Sequence, residues 1–151
     1  MHELQNSGVH TAAPYTVTYN TFIGAYARVS KIVNKDASLK AERVLGDTIH
    51  LRNNINPLIA PEHRSYNQLI SAWVNTKQLN SSEKSYWWWC RMREEYNETW
   101  NERIRPNVHT YNTVTVAFAW LGYAVKVENL LLEVLDQEGS NDMKLPNKGE
   151  A

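Results

Sequence analysis

Three asparagines hold the most informative chemistry in this sequence. Asn20, Asn67 and Asn112 each directly follow a tyrosine (Tyr19, Tyr66, Tyr111), and each tyrosine lies five residues after a proline (Pro14, Pro61, Pro106). An asparagine amide carries two donors and an acceptor on one planar group, so it can complement the polar edge of a ligand. The plainer role is to cap or solvate the start of a helix. One Tyr-Asn pair would favour that role. Three in register, at steps of 47 and 45 residues, favour a shared binding role.

Other reactive side chains show no such order. The five histidines (His2, His10, His50, His63, His109) lack metal-ligand spacing, so no metal site is expected. Cys90 has only Arg91 and Arg93 as basic neighbours, a weak basis for a nucleophile. Asn80-Ser81-Ser82 and Asn97-Glu98-Thr99 match the glycosylation sequon, without a signal peptide to give it meaning. The sequence has no glycine-rich phosphate loop and no Ser/His/Asp constellation. Nothing supports an enzyme, a cofactor or a small-molecule substrate, and no catalytic residue is expected.

The elements that must position the asparagines are helices. Apolar residues recur at i, i+3, i+4 and i+7 from each tyrosine: Tyr19, Phe22, Ile23, Tyr26; Tyr66, Leu69, Ile70, Trp73; Tyr111, Val114, Thr115, Phe118. A small residue falls six after each tyrosine (Ala25, Ala72, Ala117), where it would let a neighbouring helix approach. A second helix follows with the same spacing: Ala41, Val44, Leu45, Thr48; Ser85, Trp88, Trp89, Met92; Val127, Leu130, Leu131, Val134. This places Trp88 and Trp89 in the core, with Trp87 to one side. Trp73 and Trp120 are also expected to pack. The segments Val29 to Asp36, Asn53 to Ala60 and Thr76 to Ser82 read as connections.

The repeat predicts a partial unit at 1–13, units at about 14–60, 61–105 and 106–145, and a linker or disordered tail at 139–151. The spacing from the second helix to the next proline puts Met1 where a second helix would be ending, which suggests a longer array. A helix pair cannot bury its apolar face alone, so stacked neighbours share it.

Composition agrees with one folded domain: 151 residues, 42% hydrophobic and 21% charged. Sixteen basic and sixteen acidic residues cancel, which argues against nucleic-acid binding through overall charge. The charge is uneven: residues 28–52 carry a net +3 and residues 126–151 a net −3. A basic first unit, with Lys31, Lys35 and Lys40, could track phosphates. One cysteine excludes a disulfide scaffold, and no run reaches the roughly 18 apolar residues of a membrane span. The N-terminal residues show neither a signal peptide nor a transit peptide.

The segments PYTVTYNTFIGAYAR, PEHRSYNQLISAW and PNVHTYNTVTVAF resemble the first-helix half of the pentatricopeptide repeat, and Ala41 and Met92 match its second half. The resemblance runs from about Met1 to Asn147. It implies an all-α, right-handed solenoid of antiparallel helical hairpins, like the pentatricopeptide and tetratricopeptide arrays. Family units are about 35 residues, so insertions are expected here in both turns. The resemblance also implies binding of single-stranded RNA at one base per unit, in a mitochondrion or chloroplast. Base readers would be Asn20 with Glu62, Asn67 with Asn107, and Asn112 with Asn147. The residues wedged between bases would be Val17, Arg64 and His109. Glu62 departs from the usual Asp or Asn, and Arg64 and His109 depart from an aliphatic wedge. A helical array can instead serve as a non-catalytic scaffold for other proteins.

Overall fold

The computed structural model describes residues 12–32, 36–78, 80–120 and 122–142. They form six α-helices: α1 (Ala12–Ile32), α2 (Ala37–Asn54), α3 (His63–Thr76), α4 (Ser81–Thr99), α5 (Val108–Trp120) and α6 (Ala124–Asp142). A single 3-10 turn, Glu102–Ile104, precedes α5, and the described residues contain no strand. The chain is therefore all-helical, with two helices to each proline-tyrosine motif.

The helix ends follow from local chemistry. Pro61 and Pro106 stand two residues before α3 and α5, where a fixed φ and a missing donor cost nothing. Pro14 lies inside the first turn of α1, which begins at Ala12, and the first-turn N–H groups have no helical partner there. The boundary expected at residue 13 thus falls within a helix. Lys77 and Trp100 end α3 and α4 in the left-handed conformation, at φ 52° and 51°. Gly122 ends α5 at φ 69°, where a Cβ would be strained. Its N–H donates to Ala119 O, while Tyr123 N–H donates to Phe118 O, satisfying carbonyls the helix leaves open.

Helix α3 is the centre of the packing. It touches α1, α2, α4, α5 and the 3-10 turn, and α5 in turn touches α4 and α6. The faces expected from periodicity meet here: Ile23, Leu45, Tyr66, Leu69, Ile70, Met92 and Val114 are fully buried. Each such aliphatic side chain contributes about 1.5–3 kcal/mol relative to exposure. Ala72 and Ala117 are fully buried at the close approaches. Trp73, Trp88 and Trp89 are core, and Trp87 is half-exposed with its ring edge-on to Trp88 at 4.8 Å.

Several expectations need correction. In the second and third pairs the second helix starts soon after the first ends, at Ser81 after Thr76 and at Ala124 after Trp120, so the extra length is not an insertion there. It lies in second helices of 18 to 19 residues and in the links 55–62 and 100–107 between pairs. No proline interrupts 81–99, so nothing stops that helix earlier. Helix α1 runs on to Ile32, into the expected connection from Val29. Residues 139–142, expected as tail, complete α6. Phe22, Ala25, Trp120 and Leu131 are exposed rather than packed. Periodicity identifies an apolar face but not what covers it. Trp120 carries the Lys77 ammonium 5.3 Å from its ring centre instead.

Candidate nucleic-acid interface

The proline-tyrosine motif builds the same hydrogen-bond frame twice. Where α1 meets α3, the hydroxyl of Ser65 donates to Asn20 Oδ1 and accepts from the Glu62 N–H at 3.1 Å. Where α3 meets α5, the hydroxyl of Thr110 donates to Asn67 Oδ1 at 2.6 Å and accepts from the Asn107 N–H at 3.1 Å. In both cases an asparagine of one unit receives the hydroxyl that precedes the tyrosine of the next. That hydroxyl is itself anchored to the backbone after the proline. Ser65, Thr110, Asn20 and Asn67 are all buried. The plain role of helix cap is therefore wrong for Asn20 and Asn67, which lie well inside α1 and α3. The hydroxyls of Thr18, Ser65 and Thr110 repeat in sequence as regularly as the asparagines, but spacing alone gave them no role.

Beyond this frame the two junctions differ. Asn107 turns its Oδ1 inward, toward Asn67 Nδ2 at 3.2 Å, Thr110 N at 3.1 Å and Thr110 Oγ1 at 3.1 Å. Thr110 has one hydroxyl proton, and the shorter contact gives it to Asn67. The Asn107 Nδ2 faces outward with no partner among the described residues. Asn67 uses its Oδ1 and one N–H inside the frame, leaving one N–H.

An open cleft of about 350 Å³ lies over this pair, lined by His63, Arg64, Asn67, Gln68, Asn107 and His109. That volume suits one small planar group. The structure thus brings the expected second-unit readers, Asn67 and Asn107, to one place with both Arg64 and His109. His63 and Gln68 also line the cleft, and no periodicity in the sequence marks them. On its other side Gln68 fits over Gly24, where a Cβ would stand 2.7 Å from Gln68 Nε2.

At the first junction Glu62 occupies the place of Asn107. Its carboxylate cannot donate, and Oε1 lies 3.5 Å from Arg103 Nη2 instead. Val17, expected as the wedge of the first unit, is 63% exposed on α1. Asn112 is exposed on α5. Its expected partner Asn147 lies outside the described residues, as do the side chains of Lys31 and Lys35. No residue of α2, which carries exposed Lys40, lines the cleft. The guanidinium that lines it, Arg64, belongs to α3.

A second repeated tie holds the helices that carry the cleft. Tyr66 donates to Glu95 Oε2, and Arg52 pairs with Glu95 Oε1, joining α3, α4 and α2. Burial first, then the Glu95 charge, pushes the Tyr66 hydroxyl far above its usual range, so it remains a donor. One unit on, Tyr111 donates to Glu133 Oε1 at 3.3 Å, and Arg93 Nη2 lies 3.1 Å from the same oxygen, joining α5, α6 and α4. The described residues hold no cluster that could bind a metal ion. None of their helices is long and apolar enough to cross a membrane.

Over 120 residues, 80% of its length, the chain is 27% identical to a pentatricopeptide repeat-containing protein of Arabidopsis thaliana. It spans 18% of that protein's length. No profile of a known protein family matches the chain, and no solved structure does. The similarity and the all-helical fold together support a likeness to the pentatricopeptide class.

Proposed function

We propose that the chain is a segment of a right-handed helical-repeat solenoid that binds single-stranded RNA without catalysis. Its setting is an organellar RNA-processing or expression factor, as the pentatricopeptide likeness implies. The observation that carries this reading is the cleft over Asn67 and Asn107, flanked by Arg64 and His109. Two planar cationic or aromatic side chains beside a pair of fixed amides suit a base that stacks and is read along its edge. The amides present N–H groups, so the base must offer acceptors. The O2 and N3 of cytosine do so side by side on one edge.

Binding of labelled short RNAs that differ at one base tests this. Cytosine is expected to win over uracil and both purines. Asn107→Asp puts an acceptor where the amide donated, and the N3–H of uracil can meet it. The preference should move toward uracil by about 1–2 kcal/mol. Equal affinity for all four bases, unchanged by the substitution, would sink the reading. One observation favours a protein scaffold in that case: Val116, Leu131, Leu132 and Leu135 are all exposed on α5 and α6.

A further inference from the structure

We propose that Arg103, which lies in the link between α4 and α5 and outside the repeated motif, contacts a phosphate of the bound strand beside the first junction. The inference rests on the RNA reading above and adds a contact to it.

An acid occupies an unexpected place at the first junction. Glu62 stands at the first junction where Asn107 stands at the second, with its backbone N–H on the same kind of hydroxyl. A bare carboxylate at that position would repel a polyanion. The chain answers with Arg103, whose Nη2 lies 3.5 Å from Glu62 Oε1. Glu62 is largely covered, with 29% of its side chain accessible, while Arg103 is 70% accessible. The guanidinium therefore neutralises the acid and still offers most of its donors to solvent.

This placement is built rather than incidental. Ile104 is fully buried and anchors the 3-10 turn against α3 and α4. Asn101 Oδ1 accepts the Arg103 N–H at 3.1 Å and fixes the start of the turn. His63, which lines the cleft, has its Nδ1 3.1 Å from the Arg103 carbonyl oxygen, a hydrogen bond that requires a proton on Nδ1. Arg103 is thus tied by backbone and side chain to the first two residues at the start of α3. The second of these, His63, borders the base site. A strand whose base occupies the cleft must run its backbone past this edge, and a guanidinium can bind a phosphate there through two N–H groups.

The test uses the whole chain and a cytidine-rich, fluorescein-labelled oligoribonucleotide. Affinity is measured between about 50 and 200 mM salt, the range over which phosphate contacts show most clearly. Arg103→Ala should weaken binding several-fold and lower the slope of log K against log salt by about 0.7, the loss of one phosphate contact on a single strand. Arg103→Lys should keep most of the slope, since it keeps the charge. Adding Glu62→Gln to Arg103→Ala should recover part of the affinity but none of the slope. Melting curves check that each variant is folded. If Arg103→Ala binds like the parent with an unchanged slope while Asn107→Ala weakens binding, the inference is overturned and the RNA reading stands. If neither substitution matters, or the parent binds no RNA, both fall.

Discussion

The first and second junctions share one frame and use it differently. At each, a buried asparagine receives a hydroxyl that is anchored to the backbone after a proline. The residue that follows the proline then decides what faces outward. Asn107 folds its carbonyl into the frame and shows its amide, while Glu62 closes a capping box with Ser65 and pairs with Arg103. The supporting ties differ in the opposite sense. Glu95, with Arg52 and Tyr66, is buried, whereas Glu133, with Arg93 and Tyr111, is more than a quarter accessible. The second junction leans instead on aromatic packing: Trp89 lies edge-on to Tyr111 at 6.2 Å, and Arg93 covers its ring at 4.5 Å. A constant frame thus leaves both the outward group and the reinforcement free to vary.

Substitution can break this comparison, and the largest effect is expected at Trp89. Trp89→Ala should cost about 3–5 kcal/mol in a urea titration, from lost burial and the cavity left behind. A variant as stable as the parent would mean that the second junction does not depend on the ring. Glu95→Ala comes next, at about 3 kcal/mol, because it strands Arg52 and the buried Tyr66 hydroxyl. Glu133→Ala should cost about 1 kcal/mol, as its ion pair is only partly buried. Equal losses at the two glutamates would erase the difference in reinforcement.

The shared frame is tested by Ser65→Ala and Thr110→Val. Each leaves a buried asparagine carbonyl without its donor, at about 1–3 kcal/mol in thermal or chemical unfolding. A large loss at one site and none at the other would show that the frame is not common to both. The smallest effect belongs to Glu62→Asn, which writes the second junction's residue into the first. Stability should change by under about 1 kcal/mol, since asparagine is itself a favoured residue at a helix start and the ion pair it removes is partly exposed. The new amide should then bond Asn20 as Asn107 bonds Asn67, a contact that a structure of the variant would reveal.

The helices were legible because burial repeats with their period. Ile23, Ile70 and Val114 on the first helices and Leu45, Trp89 and Leu130 on the second are all buried where the pattern put them. The asparagine positions were legible too, since a fixed motif fixes spacing from the proline. The Tyr-Glu-Arg ties were not. Glu95 lies 29 residues after Tyr66, but Glu133 lies only 22 after Tyr111, so no regular period connects them. Arg103 was invisible for a similar reason: it reaches Glu62 from a link that the motif does not describe. Trp120 and Leu131 failed differently, because a face can be apolar in sequence and still have no neighbour over it.

The inward carbonyl of Asn107 has a thermodynamic consequence. An asparagine side chain on a surface samples several rotamers and both amide orientations, and a ligand must freeze one of them. Here two donors, an Asn67 Nδ2–H and the Thr110 N–H, converge on Oδ1, so the orientation is selected when α5 docks on α3. The entropy of ordering that amide is lost during folding and not again during association, leaving more of the contact energy available as affinity. It also removes the alternative in which the amide flips to suit a base with the opposite edge. A fixed amide of this kind discriminates by rigidity as much as by attraction.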